Sequence, residues 1–129
     1  MPAINWLAVV ASTVAGFILG GLWYGPLFSK IWVREMGGAV KPRIARPLLF
    51  AITIAMTFIA ASAFGAFLGP HPGLALAIGA GASTGIVWVG FSMATTYMFA
   101  GRSFALAAVD CGFPAAQFIL FGVIFALIG

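Results

Sequence analysis

One acidic side chain stands inside an otherwise apolar stretch of the sequence. Asp110 lies within residues 104–128, a segment that is long and apolar enough to form a membrane-spanning helix. An ionisable group at membrane depth is energetically costly, and it marks an ion or substrate path unless neighbouring groups simply satisfy it. Gln117 follows seven residues later on the same helical face. Asp110 and Gln117 are therefore the first candidates for a substrate or ion path.

Asp110 also has a purely structural interpretation. Its side chain can pair with Arg102, which precedes the helix, or accept hydrogen bonds from hydroxyl groups of the preceding helix. In either case the acid would hold the helices together without binding anything else. The sequence leaves the structural and functional interpretations open.

Further polar side chains reach the depth of Asp110 when residues are counted inward from the charged end of each apolar segment. Trp23 and Tyr24 lie near the end of the first segment, and Thr53 lies near the start of the second. Thr96 lies near the end of the third, and Ser92 shares its helical face. We therefore expect a polar layer at the depth of Asp110. The candidates for a substrate or ion path are Asp110, Gln117, Tyr24, Trp23, Thr53, Thr96 and Ser92.

The composition predicts the elements that position these residues. Of 129 residues, 64% are hydrophobic and only 6% are charged, whereas a soluble domain has about 25% charged residues. Four apolar segments, at about 3–25, 47–68, 74–100 and 104–128, each have roughly the 20 residues that a membrane span needs. We predict an all-α polytopic membrane protein, with residues 1–129 forming a single four-helix transmembrane domain.

Basic residues cluster in one connection between the predicted helices. The net charge is +4, and five of the six Lys and Arg residues lie within residues 30–46. Connections rich in Lys and Arg face the cytoplasm and attract anionic lipid headgroups. We expect residues 30–46 to be cytoplasmic, in contact with such headgroups, and both termini to lie outside. Nucleic acid is not an expected partner, because no recognition motif accompanies the charge.

Glycines along the first and third apolar segments predict close helix packing. Gly16 and Gly20, like Gly81 and Gly85, form small-xxx-small pairs that let another helix approach closely. Residues 16–25 and 81–90 also share the pattern G-x3-G-x2-W-x-G, which raises a parallel two-plus-two helix repeat as a hypothesis. Because glycine faces also suit contacts between subunits, we expect a homo-oligomer.

The sequence contains no recognisable set of catalytic or metal-binding residues. Cys111 is the single cysteine and His71 the single histidine, so neither a CxxC pair nor a Cys/His cluster exists. No nucleophile has a base near it in sequence. We therefore predict no catalytic residues, no metal site and no cofactor.

Several motifs, taken in order, resemble one family of membrane proteins. The similar residues are Asn5, then Gly20-x2-Trp23-Tyr24-x-Pro26-Leu27-Phe28-x3-Trp32 and Gly37, then Phe99-x-Gly101-Arg102 and Asp110-Cys111-Gly112-Phe113. This pattern is similar to the prokaryotic and fungal family called domain of unknown function 1761. The resemblance implies four transmembrane helices and supplies no activity. We expect an integral protein of a prokaryotic inner (plasma) membrane.

Three functions fit these residues. The first is an oligomeric transporter or channel for a small solute or ion, with Asp110 and the aromatic residues lining the path. The second is a structural or accessory protein that binds a partner through its glycine-lined helix faces. The third is a membrane enzyme that acts on a lipid-like substrate, which lacks support because no second acid accompanies Asp110 within the membrane segments.

Overall fold

The computed structural model describes residues 4–38 and 41–128, and this part of the chain is helical without strands. The predicted all-α class is confirmed. The predicted start of the first helix, at about residue 3, lies outside the described residues. The α-helices are α1 (Trp6–Leu22), α2 (Ser29–Glu35), α3 (Arg46–Leu68), α4 (Leu74–Ala82), α5 (Phe91–Phe99) and α6 (Phe104–Ile128).

Two π-helical segments extend these α-helices. The first, Trp23–Leu27, continues α1, and the second, Ser83–Gly90, joins α4 to α5. Within the described ranges, four continuous helices are long and apolar enough to cross a membrane: Trp6–Leu27, Arg46–Leu68, Leu74–Phe99 and Phe104–Ile128. The prediction of a four-helix polytopic membrane protein is thereby confirmed. We call the end of the bundle with residues 30–46 and Arg102 the basic side, and the other end the opposite side.

Short polar side chains and glycines set the ends of the spans. The Asn5 side chain accepts a hydrogen bond from the Ala8 N–H at 3.1 Å, which caps the start of α1. The Ser103 hydroxyl accepts one from the Leu106 N–H at 3.2 Å and caps α6 in the same way. Gly101 has φ of 72°, a left-handed conformation that lets α5 and α6 join in a tight turn.

Pro26 changes the direction of the chain at the basic side. Because proline has no N–H, the helix loses a hydrogen bond there. The Phe28 N–H instead donates to the Trp23 carbonyl, five residues back, at 3.1 Å, and this bond widens the turn into a π-helix. Gly25 has non-helical angles (φ −99°, ψ −108°), so the chain kinks. Helix α2 then runs back beside α6.

Helix α6 is central, because it packs against α1, α4 and the second π-helical segment. A Cβ atom on Gly81 or Gly85 would fall on the carbonyl groups of Phe118 or Pro114, so these backbones are in direct contact. Gly16 lies against side chains of α6 and α3, and Gly20 lies 3.4 Å from the Phe113 ring, measured from the position of a Cβ. Contacts within one copy of the chain therefore occupy the glycine faces that the sequence also offered to a second subunit.

The two copies of the glycine–tryptophan pattern have different surroundings. Trp23 is half-buried against α6 and its indole donates to the Val109 carbonyl, whereas Trp88 has 66% of its surface exposed. Both copies overlap a π-helical segment. The parallel repeat stays a prediction, because similar local helix geometry does not establish that the two halves are related.

Candidate functional site

Asp110 is buried near the basic side of the bundle, with 7% of its surface exposed. Its Oδ1 atom accepts hydrogen bonds from the Tyr24 hydroxyl at 2.8 Å and from Nε1 of Trp32 at 3.1 Å. Its Oδ2 atom accepts one from the Tyr97 hydroxyl at 2.5 Å. One carboxyl group thus links α6 to the first π-helical segment, to α2 and to α5. We call these four residues the Asp110 cluster.

Aromatic rings enclose the Asp110 cluster. Nε1 of Trp23 donates to the Val109 carbonyl at 2.8 Å, one residue before the acid. The Trp23 ring packs against Phe28, with ring centroids 4.8 Å apart, and against Phe113 at 6.2 Å. Tyr24 packs edge-on against Phe113 at 5.6 Å. The acid is therefore surrounded by aromatic rings and by neutral hydrogen-bond donors.

The carboxyl group is satisfied without a cation. Among the described residues, the ion pair in the structure joins Arg34 to Glu35, at 3.2 Å. The indole N–H of Trp32 can only donate, so Oδ1 of Asp110 acts as an acceptor. Of the two structural partners that the sequence offered, the structure has a hydroxyl donor from the preceding helix, Tyr97, and exposed Arg102 lies outside the cluster.

The third span meets α6 through a different face from the one that the sequence predicted. The α-helical spacing from Gly81 and Gly85 predicts Ser92 and Thr96 on the same face. The π-helical segment has i→i+5 hydrogen bonds and shifts the facing register by one residue. The buried position after Gly85 is consequently Gly90, and the residue that reaches Asp110 is Tyr97.

Ser92, Thr96 and Thr53 lie outside the Asp110 cluster. Each is exposed, and each hydroxyl donates to a carbonyl four residues back in its own helix, at 2.6, 3.2 and 2.8 Å respectively. Such local bonds satisfy a hydroxyl inside an apolar environment without a partner from another helix. Of the residues expected in the polar layer, Asp110, Tyr24 and Trp23 therefore lie together. Ser92, Thr96 and Thr53 do not join them.

Gln117 lies in a groove between α1 and α3, whose floor is α6. We call it the α1–α3 groove, and its volume is about 570 Å³. Tyr24 and Thr53 line it as well, so Tyr24 contacts both the groove and Asp110. Gln117 is half-buried and Thr57 is buried. The path candidates from the sequence thus divide between the Asp110 cluster, this groove and the exposed face of α5.

Sequence reasoning missed two donors of the cluster, Trp32 and Tyr97. Trp32 lies in the connection rich in Lys and Arg, and no local signal indicates that α2 folds back onto α6. Tyr97 directly follows Thr96, which the sequence predicted at this position. Gly85 and Gly90, five residues apart, are the sequence feature that accompanies the shift in which residues of the third span face α6. A Cβ atom on Gly90 would lie 2.9 Å from the Gly85 carbonyl oxygen, so glycine is needed there.

Glu35 at the end of α2 lies near the turn between α5 and α6. A side-chain hydrogen bond from Ser103, together with the Arg34 guanidinium, holds the pKa of the Glu35 carboxyl below its ordinary value. Ser103 also caps α6. Trp32 thus attaches α2 to α6 inside the protein, while Glu35 lies near the start of α6 at the surface.

The chemistry available to this site is that of a single carboxyl group. Such a group can bind a cation or exchange a proton. Within residues 4–38 and 41–128, no group of three or more His, Cys, Asp and Glu side chains is placed to share a metal ion. Cys111, the neighbour of Asp110, is a free, half-buried thiol.

The chain belongs to a family of proteins of unknown function. The family described as "Protein of unknown function (DUF1761)" matches residues 7–126, which confirms the resemblance drawn from the motifs. Comparison with the curated proteins and with the solved structures found no match. A functional conclusion must therefore come from the geometry of the site.

Proposed function

We propose that the protein is a transporter that moves a small cationic solute or ion across the membrane by binding it at Asp110. The observation that carries this proposal is a membrane-buried carboxyl group whose partners are neutral donors from three other segments. A charge at this depth is costly without a counter-charge. A cation that replaces one of the neutral donors would recover part of that cost.

The aromatic surroundings of Asp110 support a cationic substrate. Faces of Trp and Tyr rings attract cations, and the attraction is stronger where water is excluded. Trp23, Tyr24 and Trp32 all lie around the acid, and the Tyr24 and Trp32 rings have centroids 6.2 Å apart. Moving a tyrosine or tryptophan donor away from a carboxyl group also costs less free energy than separating a buried ion pair.

The assembly that we propose is a homo-oligomer. Support comes from α6, where a groove of about 340 Å³ is lined largely by small side chains and by Phe91 and Phe104. Small residues on a membrane helix allow a second helix to approach. The partners that we propose are the bilayer and a second copy of the chain, with residues 30–46 in the cytoplasm at anionic headgroups, both termini outside, and a prokaryotic plasma membrane as the location.

Uptake into proteoliposomes tests the proposal. The purified protein, reconstituted and given a pH gradient, should accumulate radiolabelled tetraethylammonium, and Asp110→Asn should reduce the initial rate at least about tenfold by removing the charge at the site. Glu35→Gln is the matched control, since Glu35 is the other acidic residue of the chain and lies at the surface. It should leave the rate unchanged.

Binding should follow the same order as uptake. Trp32 donates directly to Asp110, so a bound cation should change tryptophan fluorescence in the wild type and in Glu35→Gln but not in Asp110→Asn. A folded Asp110→Asn protein with wild-type uptake and wild-type binding would show that Asp110 is structural. Absence of both uptake and binding by the wild-type protein would instead favour the accessory-protein function.

A further inference from the structure

We infer that the α1–α3 groove is a binding site for one acyl chain of an anionic phospholipid whose headgroup is held by Arg46. This site shares Tyr24 with the Asp110 cluster but does not depend on the proposed transport. The inference draws on the shape of the groove, its lining and the charge at its mouth.

The groove is empty space bounded by backbone on one side. Along α1 it extends from Gly16 to Gly25, which is about 13 Å of helix. A Cβ atom on Gly21 or Gly25 would meet nothing within 4 Å. The glycines thus remove side chains from this wall, and the volume of about 570 Å³ lies within the range of about 300–1,000 Å³ for ligand sites.

The lining suits a flexible hydrocarbon chain. Phe17 from α1 and Phe50 from α3 meet edge-on at the groove, with ring centroids 5.8 Å apart, and Phe113 contributes to the floor. The hydroxyls of Thr53 and Thr57 are turned to carbonyls of their own helix at 2.8 Å, which leaves their methyl groups available for apolar contact. A membrane-embedded cleft of this kind is filled from the bilayer beside it.

Charge at the mouth selects the headgroup. Arg46 begins α3, is exposed, and shares a helical face with Phe50, Thr53 and Thr57 of the groove wall, so it lies one helical turn beyond the end of that wall on the basic side. Lys41 and Arg43 precede it in the same connection and are not buried. The N–H groups of the first turn of α3, which has no side-chain cap, add a favourable partial charge for a phosphate.

Lipid exchange followed by native mass spectrometry tests the inference. The protein in detergent is incubated with equal amounts of phosphatidylglycerol and phosphatidylcholine, and the lipid adducts retained per chain are counted. We expect one phosphatidylglycerol per chain in preference to phosphatidylcholine. Gly21→Leu should remove this adduct, because the leucine side chain occupies the empty groove. Gly79→Leu is the matched control, since Gly79 also has open space around it and lies outside the groove.

A second pair of variants tests the headgroup without altering the groove. Arg46→Gln should reduce the preference for phosphatidylglycerol by about fivefold, the effect of one basic residue near an anionic surface. Arg102→Gln, an equally exposed basic residue on the same side, should leave the preference unchanged. Equal retention of both lipids by the wild type, or a wild-type adduct in folded Gly21→Leu, would overturn the inference.

Discussion

Helix α6 is held in two different ways along its length. Near the basic side, its single acid accepts three hydrogen bonds from other segments, and a neighbouring carbonyl accepts a fourth from Trp23. Near the opposite side, Phe121 and Phe125 pack in a cluster of rings and small side chains. In that half, the α6 backbone also touches α4 through glycines.

The difference teaches what holds helices together in a membrane. Lipid tails are as apolar as the rings, so the Phe cluster gains little from leaving the bilayer, and its stability comes from close contact alone. Hydrogen bonds, by contrast, are directional and fix one register among several that pack equally well. We therefore expect the opposite half to be sensitive to volume and the basic half to be sensitive to the removal of polar groups.

The largest effect should come from filling a backbone contact in the opposite half. In Gly81→Leu the new side chain begins at a position already occupied by the Phe118 carbonyl, so the helices must separate. We expect destabilisation by at least about 3 kcal/mol, at the upper end of overpacking effects. Thermal unfolding in detergent measures it. Gly79→Leu, with open space around its Cβ, should unfold like the wild type; similar losses in both variants would contradict the volume argument.

The second largest effect should come from emptying the Asp110 cluster. Asp110→Ala leaves the Tyr24, Trp32 and Tyr97 donors without an acceptor, and we expect a cost of about 2 to 3 kcal/mol. Asp110→Asn should cost less than half as much, because its amide oxygen still accepts and the Tyr97 hydroxyl can turn to accept. Equal stabilities of the two variants would show that hydrogen bonds to residue 110 do not stabilise the basic half.

A smaller effect is expected when α2 alone loses its contact with the acid. Trp32→Phe keeps an aromatic ring but removes the N–H that reaches Oδ1 of Asp110, at a cost of about 1 kcal/mol. Hydrogen exchange should become faster in α2 and stay unchanged in α4. If protection is lost throughout the bundle instead, α2 is part of the cooperative core and the two halves are not separable.

A buried hydroxyl in the opposite half provides a second test of whether packing, and not hydrogen bonding, stabilises that half. Ser12 is fully buried, and its Oγ atom has no hydrogen-bond partner among the described residues. Ser12→Ala should therefore change the stability by no more than about 0.5 kcal/mol, or raise it, because an unsatisfied group is removed. Thermal unfolding provides the measurement. A clear loss of stability would show that a polar contact of Ser12 stabilises the opposite half in addition to packing.

The smallest effect concerns pH at the surface of the basic half. The Ser103 hydrogen bond and Arg34 lower the pKa of Glu35 in the folded protein. Ionised Glu35 therefore stabilises the folded protein at a pH above its pKa in the unfolded chain. This stabilisation is lost as the pH falls through the pKa of Glu35 in the folded protein. A ¹³C NMR titration of the Glu35 carboxyl should show the lowered pKa. Ser103→Ala should raise this pKa toward its ordinary value; an unchanged titration would exclude the contact.

Hydropathy and composition alone were sufficient for the broad architecture. Eight charged residues cannot cover a water-exposed surface of 129 residues, and the four apolar segments could therefore be assigned as spans, with ends within a few residues of those observed. Asp110 could be selected because an acid inside such a segment is rare. Trp23 and Tyr24 could be placed at its depth by counting residues along helices.

Only the tertiary structure decided which side chains meet at the acid. The π-helical segment moved the facing register from Thr96 to Tyr97, and hydrogen bonding in a helix of this kind is not visible in hydrophobic periodicity. The kink at Gly25 and Pro26 brought α2 against α6, which made Trp32 a donor to Asp110. Spacing along a chain determines which residues share a helix face, whereas contacts between helices depend on how each helix is bent and rotated.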